Sequence, residues 1–448
     1  MGAAILGCGL PPGNSLVPFT LPNLLAFLSP GTGGSGAQFT DLTGNTTGWI
    51  QANATYRPTY VPADANGQGT ISCAGGALAG RGNQCIGPNN PAILNTIATT
   101  SFTIVCVVRV NDLYTDVTYV GKMIASPSLP WIVLDNGCVR VYDELFNIGT
   151  VFNRLSVLTV TVTVTALNTG TITIRQDGIQ TGTYTGALRI MDTAHGWYIS
   201  GDGVNGIGGA SLKADWAAVL FYGRALASAE ITQIESWAAT YYGVTGAAPI
   251  GFNLVIDGNS ISSGSPNTIQ PDYVRQALAT FSPNPGVFSA AYPGKSGLVS
   301  AQTTPWFRPG QTNIWSGWEY TNETIGVGGT AAIAEYEAYY LAAKTAGFQK
   351  IIAWSPLPSS TINETNRQAY ITLQKSKFSA TPTFAGSGVY PAINGQTSAT
   401  HLADMGSDAI MGVASSWTAN PTYWYNTVHP NNLGHSVLAT YLVNALNA

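Results

Sequence analysis

The sequence carries little charge. Lys and Arg number 18 and Asp and Glu 22 among 448 residues, so charged side chains make up 9% and the formal net charge is −4. Soluble domains average about a quarter charged residues. The cations form no run or stripe, which excludes a basic surface for nucleic acid. Uninterrupted apolar stretches are shorter than the roughly 20 residues that a membrane helix needs, so we expect no membrane insertion.

Cysteine and histidine are also scarce, with five cysteines, all in the first third of the chain, and four histidines. No C-x-x-C pair occurs, so the sequence predicts no zinc site. Two states of the thiols stay open. Cys73 and Cys85 could form a disulfide across a glycine-rich loop, or the cysteines could be reduced and act as small apolar side chains. The five are Cys8, Cys73, Cys85, Cys106 and Cys138.

Length and hydrophobic content predict a multidomain chain. At about 150 residues per domain, 448 residues suggest two or three domains, and 45% hydrophobic residues allow each half a core. The residue pattern changes near position 246. The predicted organisation is an arm at residues 1–20, a β domain at 21–245, a linker at 246–251 and an α/β domain at 252–448. The arm has no basic segment and a short apolar one, so we expect no export signal there.

The first half has the pattern of an all-β sandwich. Residues 156–165 alternate Val and Thr, which places the two residue types on opposite faces of a strand. Asp177-Gly178 predicts a hairpin turn. A single helix is expected from Ser228, as its N-cap, to Gly243, as its left-handed stop. Further strands are predicted at 102–110, 131–134, 137–142, 171–175, 196–200 and 214–222.

This half resembles the concanavalin A-like (laminin-G-like) jelly roll at residues 21–28, 39–45, 57–61 and 216–226. The resemblance implies a jelly-roll sandwich that binds a glycan or serves as a spacer. Calcium-dependent members of that family use clustered carboxylates. No such cluster is visible in this half, so we expect it to fold without calcium.

The second half alternates strands and helices, which predicts a parallel, doubly wound sheet. In such sheets the active site forms at the carboxyl ends of the strands. Strands are expected at 252–256, 287–291, 313–318, 350–354 and 401–403. Helices are expected at 271–281, 331–346, 363–378 and 433–446.

Two segments of this half carry candidate chemistry. Ser260 lies on the turn that leaves the first strand, where its hydroxyl would face the carboxyl edge of the sheet. His429 is held before Pro430 at the start of the last helix. A hydroxyl nucleophile and an imidazole base are the pair that acyl transfer requires. The sequence therefore predicts that Ser260 and His429 meet.

These segments resemble the SGNH (GDSL-type) hydrolase family in four blocks. Residues 258–261, Gly-Asn-Ser-Ile, are similar to the G-D-S-L block, and Gly294 matches the glycine of the second block. The third block, G-x-N-D, falls on residues 320–323, Tyr-Thr-Asn-Glu. The D-x-x-H block falls on residues 426–429, Asn-Thr-Val-His. The resemblance implies an α/β three-layer domain with a flavodoxin-like parallel sheet.

The same resemblance implies the role of each residue. Ser260 would be the nucleophile, His429 the general base, and Asn426 would occupy the place of the triad acid. The oxyanion hole would consist of the N–H groups of Ser260 and Gly294 and the side chain of Asn322. No metal and no cofactor take part in this chemistry.

Two departures from the family pattern matter. Tyr320 replaces a glycine and would narrow the site or give the substrate a stacking platform. Asn426 replaces a carboxylate, and a carboxylate-to-amide change in a serine triad costs about 10⁴ in turnover. Besides Asn426 itself, two partners stay open for the His429 ring: a backbone carbonyl, or the carboxylate of Asp404 or Asp408.

The predicted function is that of a serine esterase, which removes acyl groups, O-acetyl above all, from a surface polysaccharide held by the jelly roll. The alternative is a bacteriophage virion protein, structural or receptor-binding, whose hydrolase domain is weakly active or inactive. Its support is the low charge and the abundance of Gly, Ser, Thr and Asn. The expected location is extracellular or on a virion surface. The expected partners are a glycan and, in the alternative, other virion proteins in a homo-oligomer, a trimer in a fibre or spike.

Overall fold

The computed structural model defines most of the chain in both halves. The residues that it describes are 17–33, 36–46, 49–51, 54, 57–76, 85–86, 92–95, 100–111, 117–121, 132–135, 138–141, 144–152, 154–167, 169–188, 197–200, 211–244, 252–263, 273–278, 280–281, 287–289, 307, 312–318 and 329–448. The predicted linker at 246–251 lies outside them. The end of the predicted arm forms a short helix, whose Phe19 ring lies 5.6 Å from that of Phe27.

The N-terminal half is built almost entirely of strands. Its elements are, in chain order, α1 (Val17–Thr20), β1 (Leu24–Gly33), β2 (Gly36–Asp41), β3 (Trp49–Ile50), β4 (Thr59–Ala65), β5 (Gln68–Gly76), β6 (Cys85–Ile86), α2 (Ala92–Asn95), β7 (Phe102–Val110), β8 (Val117–Gly121), β9 (Ile132–Asp135), β10 (Cys138–Val141), β11 (Glu144–Phe152), β12 (Ser156–Ala166), β13 (Thr169–Gln176), β14 (Ile179–Ala187), β15 (Tyr198–Ile199), β16 (Ser211–Tyr222) and α3 (Ser228–Tyr242).

The long strand β16 lies at the centre of a large antiparallel sheet. One of its edges pairs with β7, and the other pairs with β5 and then with β1. From β7 the sheet continues through β12 and β13 to β14. The predicted hairpin between β13 and β14 is confirmed: Asp177 and Gly178 have φ angles of 51° and 85°, both positive as a type I′ turn requires.

Alternation along the strands gives this sheet two buried faces. In β7, Ile104 and Cys106 face a core that also contains Val120 of β8 and Ile199 of β15. The neighbouring Val105 faces the opposite way and packs in the core that contains α3. The second group of strands, β6-β15-β8-β9-β10-β11, therefore covers one face and the helix covers the other. A large antiparallel β domain is thus confirmed for this half.

The closing helix begins differently from the prediction. Its N-cap is Ala227, and not Ser228, which is the first helical residue. The backbone N–H of Ala227 donates to Glu230 Oε2 at 2.8 Å, so the third residue of the helix satisfies the cap without a hydroxyl. The predicted end is confirmed, since Gly243 is left-handed with φ 68°.

The disulfide alternative is wrong for Cys73, whose thiol is free and buried in the core between the strand groups. Alternation in β5 directs this side chain into the core. Burial raises the pKa of the Cys73 thiol to about 12, so the thiol stays protonated. Cys106 is likewise free and buried. Cys8 lies outside the described residues, and for Cys85 and Cys138 only the backbone is described.

The C-terminal half contains both strands and helices. Its elements are β17 (Phe252–Gly258), α4 (Ser260–Ser263), α5 (Tyr273–Leu278), β18 (Val287–Ser289), β19 (Thr312–Trp318), α6 (Gly329–Ala346), β20 (Lys350–Trp354), α7 (Glu364–Lys375), β21 (Val389–Pro391), β22 (His401–Ala403), α8 (Ser416–Ala419) and α9 (Asn432–Asn447). Short 3₁₀ turns cover Met405–Ser407 and Pro421–Tyr423. No helix in the described ranges is long and apolar enough to cross a membrane.

Five strands of this half are parallel and lie in the order β18-β17-β19-β20-β22. Numbered along the chain, this is the order 2-1-3-4-5. The second strand is added on one side of the first strand and the later strands on the other, so the strand order reverses between the first and third strands. The strand β21, which the sequence pattern did not predict, adds an antiparallel edge beside β22. The structure therefore confirms an α/β domain with a mixed sheet, and β18 also pairs with β11 of the first half.

Helices cover both faces of this sheet. In β17, Leu254 and Ile256 share a core with α5 and α9. Val255, between them, shares a core with α6 and α7. Because the central strands are buried on both sides, they read as continuous apolar runs, as parallel strands do. Each helix predicted for this half is present with shifted ends, and the predicted bounds of β20 and β22 are those observed.

Candidate active site

The first parallel strand ends in a crowded turn. Gly258 is the last residue of β17, and a Cβ atom there would lie 2.3 Å from Ser262 Oγ and 2.4 Å from the carbonyl oxygen of Trp318. Only glycine fits, because the Trp318 carbonyl belongs to the neighbouring strand β19 and cannot rotate away. Because Gly258 has no side chain, the end of β17 and the α4 turn pack closely together. This contact lies beside the point where the order of the strands reverses.

We therefore expect Gly258→Ala to destabilise the protein by about 1–3 kcal/mol, since overpacking of this size displaces backbone. The melting temperature of the full chain should fall by several degrees at roughly 2–4 °C per kcal/mol. Gly31→Ala in β1 is the matched control, because its nearest atom, Thr40 Oγ1, is 3.8 Å from the added Cβ. Equal melting temperatures for the two variants would contradict the crowding argument.

Ser260 begins α4 directly after this turn. The side chain of Asn259 is buried, and its Oδ1 accepts the backbone N–H of Ile261 at 2.9 Å. This Asx-type bond holds the backbone on both sides of the serine. Ser260 is only 7% exposed, so its hydroxyl has a defined position rather than free rotation in solvent.

His429 lies on a short hairpin that closes on itself. Trp424 and Pro430 form an isolated antiparallel bridge. The N–H of Tyr425 donates to the carbonyl of His429 at 2.9 Å, and the N–H of Asn431 donates to the carbonyl of Tyr423 at 3.0 Å. The backbone that carries the imidazole is therefore fixed before any ligand binds.

The structure brings three of the predicted residues together in a chain of hydrogen bonds. His429 Nε2 lies 2.8 Å from Ser260 Oγ, and His429 Nδ1 lies 3.3 Å from Asn426 Oδ1. The same Asn426 oxygen accepts the backbone N–H groups of Val428 and His429, each at 2.8 Å. These contacts join the hydroxyl, the imidazole and the amide in the order that acyl transfer uses.

The two backbone donors fix the orientation of the Asn426 amide. A flipped amide would turn its NH₂ group toward the N–H groups of Val428 and His429, and donors would face donors. The oxygen must therefore face the ring. It accepts from Nδ1–H of His429, which leaves Nε2 without a hydrogen and ready to accept the proton of Ser260.

Neither aspartate that was considered as a substitute acid reaches the ring, so that alternative is wrong. Asp404 accepts from Ser355 Oγ at 2.9 Å and pairs with Lys375. Asp408 accepts the N–H of Met411 at 2.7 Å, among other donors. Both aspartates lie in the loop after β22, and their carboxylate oxygens bond to these other groups. The Nδ1 atom contacts Asn426 rather than a backbone carbonyl.

Burial lowers the pKa of His429 below its ordinary value. The ring contacts Ser260 and Asn426, and among the described residues no carboxylate is hydrogen-bonded to it to oppose this effect. The imidazole is therefore neutral at neutral pH, as a general base must be. His435 is fully buried, and burial together with the nearby His429 lowers its pKa to about 3, so it too is uncharged. Its Nδ1 accepts the N–H of Tyr273 at 3.1 Å, which agrees with a structural role.

Aromatic rings pack on the sheet face that carries α5 and α9. Trp318 and Trp354 stack with ring centroids 5.0 Å apart, and Tyr273 packs edge-on against both. Trp315, on the opposite face, is also buried. The burial of Trp315 and Trp318 shows that both belong to the core of this half.

Three predicted site residues, Gly294, Asn322 and Tyr320, lie outside the described residues. Their predicted roles stay predictions. Among the described side chains, no group of three or more His, Cys, Asp or Glu is arranged to hold a metal ion.

Sequence reasoning missed two features of the site. The first is the tie between the hairpin and the segment after β20: the N–H of Ser360 donates to the Thr427 carbonyl at 3.0 Å, and the two hydroxyls lie 2.7 Å apart. The second is the exposed ring of Tyr425. No sequence pattern predicts the first, since the partners are distant along the chain. Tyr425 directly precedes the D-x-x-H-like block, and that position was its only signal.

Comparisons with known proteins add little to this geometry. No family model and no curated protein matches the sequence. Among solved structures, the sialidase of Trypanosoma rangeli in complex with sialic acid is 17% identical, with a TM-score of 0.37 over 50% of this chain and 34% of that chain. The binding domain of Paraclostridial Mosquitocidal Protein 1 is 18% identical, with a TM-score of 0.35 over 48% of this chain and 52% of that chain.

The binding domain of Botulinum Neurotoxin DC in complex with SialylT is a further match, 11% identical, with a TM-score of 0.33 over 48% of this chain and 51% of that chain. The matched part thus spans between a third and about half of the length of these structures. TM-scores this low do not establish a shared fold. The functional interpretation of the chain therefore rests on the site alone.

Proposed function

We propose that this protein is a serine esterase that removes acyl groups, O-acetyl above all, from a surface polysaccharide. The observation that carries the proposal is the hydrogen-bonded chain from Ser260 through His429 to the oriented Asn426 amide. The setting agrees with it, because the serine follows the first parallel strand at the reversal of the strand order and the histidine precedes the last helix.

We further propose that residues 252–448 are an SGNH-type hydrolase domain and residues 21–245 a jelly-roll glycan-binding or spacer domain. The parallel order 2-1-3-4-5, the helices on both faces and the two motif segments support the first assignment. The antiparallel strands with α3 on one face support the second.

The proposed reaction begins with proton transfer. His429 Nε2 takes the hydroxyl proton of Ser260 as Oγ attacks the ester carbonyl, and the ring becomes an imidazolium. Asn426 Oδ1 accepts from Nδ1–H and keeps the ring in place. The imidazolium then protonates the departing sugar alkoxide. In the second half of the cycle, His429 takes a proton from a water as that water attacks the acyl-serine. The bond between Ser260 Oγ and the acyl carbon then breaks, the imidazolium returns its proton to Oγ, and acetate leaves.

The tetrahedral intermediate carries a negative oxygen that needs hydrogen-bond donors. We propose the N–H groups of Ser260 and Gly294 and the side-chain amide of Asn322 for this role, following the family resemblance. Each well-placed donor of this kind contributes about 2.7–4 kcal/mol to the lowering of the barrier. Donors of this type, and not a charged triad acid, would then supply much of the catalysis.

The lowered pKa of His429 predicts the pH dependence of this reaction. Because the base must be unprotonated, kcat/KM should rise with pH through the pKa of His429 and then level off. Burial lowers this pKa, so the midpoint should lie below the ordinary histidine value of about 6.5. A profile of acetate release between pH 4 and 8 checks this, and a midpoint above 7 would show that an unseen carboxylate faces the ring.

The experiment that tests the proposal is acetate release from acetylated xylan and from p-nitrophenyl acetate by the purified full-length protein, with Ser260→Ala as the control. Turnover that depends on Ser260 supports the esterase. Its absence supports the alternative of an extracellular virion protein with an inactive hydrolase domain, an alternative that the low charge and the amide at position 426 favour.

A further inference from the structure

One aromatic ring next to the candidate dyad faces solvent. Tyr425 is 62% exposed, whereas the tryptophans of the neighbouring strands, Trp315, Trp318 and Trp354, are buried. A single exposed aromatic side chain on a protein surface needs no explanation. Tyr425, however, lies on the same hairpin as His429. The backbone of that hairpin fixes the position from which the Tyr425 side chain leaves the chain.

The register of the hairpin places Tyr425 directly opposite His429. Trp424 pairs with Pro430, and the N–H of Tyr425 donates to the carbonyl of His429 at 2.9 Å. Side chains of directly opposite residues leave an antiparallel pair on the same face, with Cβ atoms about 4.5–5.5 Å apart. The register therefore places the side chains of Tyr425 and His429 on the same face of the hairpin.

The hairpin also holds this arrangement without a ligand. Asn426 Oδ1 accepts the N–H groups of Val428 and His429, and the apex residue Thr427 is tied to Ser360 by a backbone bond and a hydroxyl pair. A ligand that packs on Tyr425 would not have to order the loop first. Binding surfaces with this property lose less free energy on association.

We propose that the ring of Tyr425 is the stacking face for the sugar ring that carries the ester, an inference that rests on the esterase function proposed above. A pyranose presents a face of C–H groups, which packs on the negative face of an aromatic ring, while its hydroxyls stay in water. A sugar held there lies beside His429. Its acyl group then reaches Ser260, because His429 Nε2 and Ser260 Oγ are 2.8 Å apart.

The proposal predicts a loss that depends on the substrate. With acetylated xylotriose, Tyr425→Ala should lower kcat/KM about tenfold, mainly through KM, as expected for one lost aromatic contact. Ethyl acetate has no ring to stack, so its kcat/KM should change less than twofold. Tyr425→Phe keeps the ring face and should behave as wild type with both esters. Phe384→Ala removes another exposed aromatic ring, 45% exposed, and is the matched control.

Equal losses with both esters, or no loss with either, would overturn the stacking proposal. A binding measurement separates it from the esterase proposal. Saturation-transfer NMR should detect acetylated xylotriose bound to the Ser260→Ala protein, and Tyr425→Ala in that background should weaken binding about tenfold. If the wild-type protein showed no turnover but binding still depended on Tyr425, the esterase proposal would be wrong and the stacking proposal would stand. Binding that is absent, or that Tyr425→Ala leaves unchanged, overturns the stacking face.

Discussion

Replacing Ser260 with alanine is expected to remove ester hydrolysis almost completely. The loss in kcat should approach the factor of about 10⁶ that a missing serine nucleophile costs in well-developed triads, roughly 8 kcal/mol of barrier. Because wild-type turnover with an amide at position 426 starts lower, the measured loss should be smaller. Hydrolysis of p-nitrophenyl acetate by the variant should still fall to the rate of the uncatalysed reaction.

The variant should fold normally, which makes the result interpretable. The Ser260 hydroxyl contacts the His429 ring, and alanine removes one oxygen atom without adding any volume. Ser262→Ala is the matched control in the same short helix. Ser262 is fully buried, and its hydroxyl has no hydrogen-bond partner in the described part of the chain, so its removal costs little. The control should keep its turnover and its melting temperature.

One result would contradict the mechanism, and another would move its test to a direct chemical experiment. Turnover that survives Ser260→Ala would mean that another nucleophile performs the hydrolysis. Loss of turnover in both serine variants would indicate that the α4 turn is sensitive to any change, and the role of the hydroxyl would then need a test by covalent labelling of Ser260 with a fluorophosphonate.

The α/β architecture was predictable because its signals are local. Buried parallel strands are continuous apolar runs, and the strands at 350–354 and 401–403 have the bounds that were predicted. The edge strand Val389–Pro391 was not predictable, because it is three residues long and contains a proline. Its pairing with β22 is a tertiary contact that the hydrophobic periodicity of the sequence does not predict.

The site was predictable in part for a different reason. Ser260 and His429 are distant in sequence, but each lies where a strand or a helix begins or ends, and parallel topology brings such positions to one edge. The partner of the imidazole was not predictable. Whether Asn426, a backbone carbonyl or Asp404 faces Nδ1 depends on how a seven-residue hairpin closes, and that closure depends on backbone bonds to Asn426 and Ser360.

Replacing Asn426 with aspartate is expected to raise esterase turnover at least tenfold, about 1.4 kcal/mol of barrier. In the wild type a single neutral oxygen serves three donors, and its contact with His429 Nδ1, at 3.3 Å, is the longest of the three. A carboxylate has two oxygens. One can keep the backbone N–H groups of Val428 and His429 while the other accepts from the ring, so the hairpin should keep its shape.

The negative charge of the new carboxylate at position 426 would act on the imidazolium form of His429. It stabilises the imidazolium that forms as Ser260 attacks, and it raises the pKa of His429, because an opposite charge favours the protonated ring. The acidic limb of the kcat/KM profile should therefore move to higher pH in Asn426→Asp, even as the plateau rises. Position 426 is exposed, so salt should reduce part of the gain.

Two variants make this result decisive. Asn426→Ala removes the acceptor altogether and should lower turnover below the wild type. Asn363→Asp makes the same amide-to-carboxylate change at the N-cap of α7, where Oδ1 accepts the N–H of Asn366, and should leave turnover unchanged. Asn426→Asp could raise the pH midpoint without raising the plateau. The carboxylate would then raise the pKa of His429 but would not lower the barrier to attack by Ser260. The rate would then be limited by the oxyanion donors, and the amide at position 426 would be sufficient for the chemistry that this site performs.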